Sequence, residues 1–396
     1  MRLGTWLPFP PAAAMLAHFT HTTVSEPTVR RTTEQAGAAD VAVQTAAVAA
    51  LEQAAPAPPA GPPLQQVSVD GAMVPLRGKG EWAEVKTLAL GTVQPPVLER
   101  GEPVVHTTEL SYFSRLADHE TFARLALAET HRRGTATAGR VVGVVDGAVW
   151  AQQFLDYHRP DAVRILDWGH AAEYLSGVAQ ACFGAGSAAA EQWLDTQLRE
   201  LLEGEPEVVL GKLRGLREEL ALQATDQAGQ AKLTSVTTSL HYLEQRREQI
   251  RYAAFRAAGY PIGSGSVESA HKVVVEARLK GAGMHWERDH VDGMLALRNV
   301  AYHDRWEEAW PQISARLRQQ ARGRVAARRA QRRAARGVPP ADAVAAPAAP
   351  ATPAPRRARR QPPTPGAHRP AANHPWRRYG QRLSHSAPPR AVSAEL

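Results

Sequence analysis

Apolar residues recur at helical spacing over residues 10–52, an alanine-rich stretch broken at His21-Thr22-Thr23 and resumed at Val24. Ser25 stands where an N-cap belongs. Glu26 and Pro27 come next, in the first turn, where an acid complements the helix dipole and proline forfeits no helical bond. The second helix carries Arg30 and Arg31, so the stretch reads either as a helix-turn-helix or as a small helical hairpin with solvated arginines. Taken alone, it favours the hairpin. Residues 54–64 are rich in proline and alanine and predict a stiff linker, hence a boundary between a helical region at 1–53 and a second domain beginning near residue 65.

Beyond the linker the pattern changes to β-branched alternation. Val67–Val74 predicts a strand, Trp82–Val93 its antiparallel partner across a turn at Arg77-Gly78-Lys79-Gly80, and a third strand is expected near Val104–Tyr112. Asp118–Arg133 predicts a helix with a charged outer face. The unbroken apolar run Val141-Val142-Gly143-Val144-Val145 predicts a central strand covered on both sides. A helix over 148–158 and a short strand over Ala162–Asp167 come next. From His170 to Gly259 the spacing is helical almost throughout, which makes about 171–259 an all-helical insertion inside a 65–310 domain. Gly259–Gly265 is a loop by its breakers, and Ser266 caps a helix running to about Lys280 that holds Glu268 in its first turn. A last amphipathic segment carries Trp286, Met294, Leu295, Leu297, Trp306 and Trp310. From about Ala335 the chain is Arg/Pro/Ala low complexity, and the 311–396 tail is expected to be mostly disordered.

Charge is divided unevenly. The formal net charge of +8 comprises +16 from residue 311 onward, where 18 Arg stand against Asp342 and Glu395, and therefore −8 over residues 1–310. The basic tail suits a polyanion such as nucleic acid, and the acidic remainder suits a carboxylate-rich metal site. Cys182 is the only cysteine, which excludes an internal disulfide framework and a cysteine-cluster zinc site within this chain. No run of about 18 apolar residues and no secretory leader is evident, so the expectation is a cytoplasmic, nucleoid-associated protein with no membrane partner.

The tetrapeptide Val-Asp-Gly-Ala occurs at 69–72 and again at 145–148, each time closing an apolar run, and Gly-Ser-Gly-Ser-Val leads to Glu268. An ionised carboxylate on a buried strand costs several kcal/mol unless a counter-charge compensates it, so Asp70, Asp146 and Glu268 point to a shared divalent cation. Three such acids suit two Mg²⁺ ions about 4 Å apart, with Mn²⁺ as a substitute, in phosphodiester chemistry. Each residue also has a plainer reading. Asp-Gly is a common turn pair, and an acid in a first helical turn is ordinary dipole complementarity. Asp167 and His170, three apart, either help orient the metal site or meet each other at a helix start, and spacing alone favours the second. Asp156, His158 and Asp161 read as an exposed turn around Arg159-Pro160. Lys272, Arg278 and Lys280 either meet phosphates or form a solvated helical face.

Together, Val-Ser-Val-Asp70-Gly-Ala-Met-Val-Pro, Val-Val-Asp146-Gly-Ala-Val-Trp, Ile-Leu-Asp167-Trp-Gly-His170-Ala-Ala-Glu-Tyr-Leu and Tyr-Pro-Ile-Gly-Ser-Gly-Ser-Val-Glu268-Ser-Ala resemble the DDE transposases of bacterial insertion sequences, closest to the ISKra group. Arg278-Leu-Lys-Gly-Ala-Gly-Met-His-Trp286, Met294-Leu-Ala-Leu-Arg298 and Asn373-His-Pro-Trp-Arg-Arg378 extend the resemblance, whose main part covers roughly Leu16–Trp310. It implies a ribonuclease-H-like mixed sheet with a helical insertion, a catalytic triad of Asp70, Asp146 and Glu268, and an Asp-x-x-His element at Asp167 and His170. It also turns Leu16–Arg31 toward a DNA-binding helix-turn-helix, and implies transposon-end and target DNA as partners of a homo-oligomer. Family members carry a cysteine-rich zinc-binding segment ahead of the helical part; its absence here reads as an N-terminally truncated copy that keeps the catalytic acids. The rival expectation is a catalytically inactive remnant that only binds DNA.

Overall fold

Successive residues on a strand face opposite sides, so the alternation Val67-Ser68-Val69-Asp70 already separates an apolar face from a polar one. The computed structural model describes residues 1–335. Its N-terminal helices are α1 (Arg2–Trp6), α2 (Phe9–Thr20) and α3 (Glu26–Ala54), followed by strands β1 (Leu64–Pro75) and β2 (Trp82–Val93). A small hairpin of β3 (Val97–Glu99) and β4 (Glu102–Val104) precedes β5 (Thr107–Arg115). The third strand expected near Val104–Tyr112 is therefore shifted, because its first residues belong to the separate hairpin. Helix α4 (His119–Arg132) is capped by Asp118, which accepts from the Thr121 N–H at 2.8 Å, and leads to β6 (Arg140–Val145), α5 (Val149–His158) and β7 (Val163–Leu166).

The sheet runs in the order β5-β2-β1-β6-β7, antiparallel on the β5-β2-β1 side and parallel from β1 to β7. Val67, Val69, Leu88, Leu90, Val141 and Val145 form one face with Phe122 of α4 and Phe154 of α5. The opposite face is divided. Val142 and Val144 meet the helical insertion, made of α6 (Trp168–Phe183), α7 (Ala188–Glu203), α8 (Pro206–Gln223), α9 (Gln227–Gln245) and α10 (Tyr252–Ala257). Ala72, Val74, Val85 and Ala89 meet a continuous helical stretch: α11 (Gly265–Ala270), a π-helical turn at His271–Glu276, and α12 (Ala277–Leu279). Strand β6, an interior strand next to the central β1, is buried on both faces, as its unbroken apolar run requires.

The N-terminal helices are packed into this core and do not stand apart. Phe9 and Val29 share a cluster with Val74, Val274 and Trp286, and α3 crosses α13 (Arg288–Tyr302) so closely that a Cβ on Gly37 would overlap the Gly293 backbone. The proline-rich crossover is docked as well: Gly61 N–H donates to Thr137 Oγ1 at 2.9 Å and Arg140 N–H to the Pro63 carbonyl at 2.9 Å. Ser25 occupies the N-cap position of α3 but its side chain makes no capping bond there; it meets Thr28 Oγ1 at 3.0 Å. The last helix, α14 (Trp306–Ala335), continues well into the segment expected to be irregular, because alanine and arginine are both strong helix formers. Residues Met1–Arg329 form one unit, and the Asn373–Arg378 motif lies outside the described residues. No helix among the described residues is long and apolar enough to cross a membrane.

The turn expected around Arg159 divides by role. Asp156 pairs with Arg164 and Asp161 with Arg159, whereas His158 faces inward, with Nε2 2.9 Å from the Ala123 carbonyl and its ring centroid 4.4 Å from that of Phe154. Burial pushes both His158 and His303 down to about 4. His303 Nε2 accepts the Tyr112 N–H, which requires an unprotonated nitrogen. Between pH 6.5 and 4 the unfolded chain binds protons at these sites that the folded chain refuses, so folding stability falls as pH falls through this window. The expected loss is on the order of 3 kcal/mol per histidine. His303→Gln, which keeps an acceptor without a titrating ring, should show a smaller drop between pH 7 and 4.5 in chemical denaturation; an unchanged drop would contradict the assignment.

Candidate carboxylate site on the sheet

Parallel pairing of β1 with β6 ends at Val67 opposite Gly143. Three residues further along the chain from each stand Asp70 and Asp146, so the same register carries the two acids side by side where the strands begin to part. Both lie on the face turned toward α11 and the insertion, and both are only partly buried. Their charges act on each other. Burial first, then repulsion by Asp146, hold the Asp70 carboxyl above its ordinary value, against the opposing pull of His271, the Gly71 N–H and His170. Asp70 Oδ1 accepts that N–H at 2.7 Å, and Oδ2 lies 3.6 Å from His271 Nδ1, an electrostatic contact too long for a hydrogen bond.

The turn after β6 is fixed from outside the sheet. Asp146 Oδ1 accepts the Ala148 N–H at 2.9 Å, an Asx turn that opens α5. The insertion supplies the other bonds: Tyr242 OH donates to the Asp146 carbonyl, and Arg246 Nη2 donates to the Gly147 carbonyl at 2.7 Å. Tyr242 is stacked between Tyr174, with ring centroids 3.8 Å apart, and the Arg246 guanidinium, 3.8 Å from the ring. Gly147 has φ +79, and a Cβ there would overlap Arg246 and the Tyr242 hydroxyl. Glycine is thus required twice, by backbone and by space.

Asp167 and His170 have separate parts. Asp167 is 4 % exposed and caps α6, accepting the His170 N–H at 3.0 Å; its other oxygen accepts the Ser264 N–H at 2.6 Å. That second bond ties the end of β7 to the loop that launches Glu268. Trp168 N–H to the Ile262 carbonyl at 2.9 Å, and Gln66 Nε2 to the Gly263 carbonyl at 3.1 Å, hold the same loop. The His170 ring turns away from its neighbour Asp167, lying 3.4 Å from Glu173 and within electrostatic range of Asp70.

Glu268 is carried one turn before His271, on the helix that touches Asp70, but its carboxylate is exposed and is not among the groups acting on Asp70. The structure thus brings Asp70 and Asp146 together and leaves Glu268 on the rim. Helix geometry widens just past this point, where His271 begins the π-helical turn, a form that occurs mostly as single turns and often at functional sites. Arg298, 1 % exposed, clamps that turn: its guanidinium donates to the Val273 carbonyl, to the Val274 carbonyl at 3.1 Å and to the Thr5 carbonyl at 3.1 Å. His271 Nε2 is buried without a hydrogen-bond partner.

The basic residues singled out from spacing have different fates. Arg278 is 2 % exposed, donates to the Gly4 carbonyl and lies over the rings of Phe9 and Trp286, so it serves the core and is closed to phosphates. Arg30 pairs with Glu26 at 2.6 Å and lies over Phe9, and Lys280 pairs with Glu276 at 2.9 Å. Arg31 and Lys272 are exposed. Spacing does not single out Tyr242, Arg246, His271 or Arg298. Tyr242 and Arg246 lie about a hundred residues from the turn they hold, and nothing local in the sequence ties them to it.

Whether the acids fit a divalent cation rests on charge. Two partly buried carboxylates side by side, with burial and the Asp146 charge raising the proton affinity of Asp70, want a counter-ion, and the hard oxygen donors suit Mg²⁺. Among the described residues, however, no group of three or more His, Cys, Asp or Glu stands close enough to hold a metal ion. Asp70 and Asp146 fit as a pair of ligands; a third ligand from the protein would be Glu268, turned in from the rim.

Asp167 and Asp70 should affect stability in opposite directions. Asp167→Ala leaves the Ser264 N–H buried without an acceptor and removes a helix cap, and should lower unfolding free energy by about 2–3 kcal/mol. Asp70 behaves otherwise. Its raised proton affinity favours folding at low pH, and that contribution is lost as pH rises through the folded value, so Asp70→Asn should raise the denaturation midpoint at pH 7.5 and lose that advantage at pH 3. A destabilised Asp70→Asn at pH 7.5 would contradict the charge reading. Comparison of the chain with protein-family models finds no match, and neither does comparison with curated proteins.

Proposed function

We propose that the chain is a DDE-type transposase, cleaving DNA at transposon ends and joining the freed 3′-hydroxyl to target DNA on a ribonuclease-H-like fold. The observation that carries this reading is the pair Asp70 and Asp146, side by side on neighbouring parallel strands, with the Glu268 helix docked over the same face. The strand order, three antiparallel strands followed by two parallel crossovers, supports the fold assignment. The helical insertion lies between the second Asp and Glu268, as the resemblance implies.

In this reading Asp70 and Asp146 hold magnesium, Glu268 closes the site when its side chain turns inward, and Asp167 keeps the launching loop of that helix in place. Bound magnesium supplies Lewis-acid activation of the attacking oxygen and neutralises charge on the leaving one. His271 stands beside Asp70, and it and His170 favour the ionised form of that carboxyl. The chain acts as a homo-oligomer on DNA, in the cytoplasm and at the nucleoid. A second reading, a remnant that binds DNA without cutting it, draws on the exposed position of Glu268 and the absence of a three-ligand group among the described residues.

Two measurements separate these. Incubated with its transposon-end DNA and Mg²⁺, the wild-type chain should cleave and join, whereas Asp70→Asn, Asp146→Asn and Glu268→Gln should each fall to background while still retaining DNA; full activity in any of them removes that residue from the site. Magnesium at one hundred times its Kd should stabilise the wild type against unfolding by about 2.7 kcal/mol and leave Asp146→Asn unaffected. Absence of both effects in the wild type favours the remnant.

A further inference from the structure

Past Leu317, helix α14 leaves the core. Its buried residues are Trp306 and Ile313, and every residue from 321 to 329 is exposed. Between Glu308 and Arg329 the chain has six arginines, at 316, 318, 322, 324, 328 and 329, and no acid. None of them pairs with an acid among the described residues; Arg316 donates to Gln319 at 3.0 Å. A surface helix normally buries an apolar stripe, but past Leu317 the one this stretch carries is short, Ala321 and Val325, and it is left exposed.

At about 100° per residue, Arg318, Arg322 and Arg329 form one row along the helix and Arg324 and Arg328 a second, about a third of a turn round. Arg318 and Arg322, and likewise Arg324 and Arg328, are four apart and repel each other in water. Such a rod is complementary in charge to an extended polyanion. Its first row spans roughly 16 Å, a length over which duplex DNA presents about one phosphate charge per 1.7 Å of axis. Two rows on a cylinder about 10–12 Å across match the two phosphate walls of a groove about 12 Å wide.

We propose that α14 is a duplex-DNA docking helix, whose two arginine rows contact the phosphate backbones on either side of the major groove, apart from the carboxylate site. The inference rests on the transposase reading only in taking DNA as the partner. It places no demand on cutting.

The test uses the full chain and a 40-base-pair duplex of arbitrary sequence, with affinity measured across a salt series. Replacing Arg318, Arg322, Arg324, Arg328 and Arg329 together by Gln keeps good helix formers on exposed positions. It should reduce the magnitude of the slope of log K against log salt by about 4.5, since each of the five phosphate contacts contributes about 0.9. The matching five-Lys variant should keep the wild-type slope. An unchanged slope in the Gln variant, with its thermal unfolding intact, overturns the proposal. End cleavage by the same proteins keeps the two readings apart: a wild type that binds steeply with salt and never cuts sinks the transposase reading alone, and a Gln variant with an unchanged slope sinks the helix alone.

Discussion

Two carboxylates on adjacent parallel strands, forced together by register, are the constraint around which the rest of the molecule is arranged. The β1–β6 pairing leaves no choice: once Val67 sits opposite Gly143, Asp70 and Asp146 arrive together on the same face. Burial and the neighbouring Asp146 charge both raise the cost of ionising Asp70, so the ionised pair works against folding stability near neutral pH.

Much of the surrounding structure holds those two acids and the Glu268 helix in a fixed relation. The insertion grips the Asp146–Gly147 turn through Tyr242 and Arg246, Asp167 ties the end of β7 to Ser264, and Arg298 holds the carbonyls of the π-helical turn that brings His271 to Asp70. Each is a directional bond at a buried or half-buried place, where positions are held most firmly. These contacts pre-arrange the site. They leave Glu268, alone of the three acids, free of such a tether.

The parts of this arrangement written locally are legible in the sequence. Alternation in Val67-Ser68-Val69-Asp70 sets the facing of the first acid, the apolar run Val141–Val145 marks a doubly covered strand, and Val-Asp-Gly-Ala marks the turn after it at 145–148, whereas its first copy at 69–72 runs on inside β1 to Pro75. What depends on distant partners is not. Arg278 reads as a phosphate contact or part of a solvated face because a buried arginine over Phe9 and Trp286 differs from an exposed one only by tertiary packing. The 54–64 stretch reads as a linker because its composition is that of one, yet Gly61 and Pro63 find backbone and side-chain partners across the chain. Helix α14 escapes a reading by composition, since low complexity and helix-forming content coincide in Arg/Ala sequences. The π-helical turn leaves no mark in the spacing, and Arg298 becomes meaningful only beside it.

The central claim, that Asp70 and Asp146 are paired in order to share a divalent cation, is most directly tested by anomalous diffraction from crystals of the protein grown with Mn²⁺. The account predicts an anomalous peak in the gap between β1 and β6, beside the carboxylates of Asp70 and Asp146. A fully occupied crystal with its manganese elsewhere, or with the two acids turned apart around an empty gap, would contradict it.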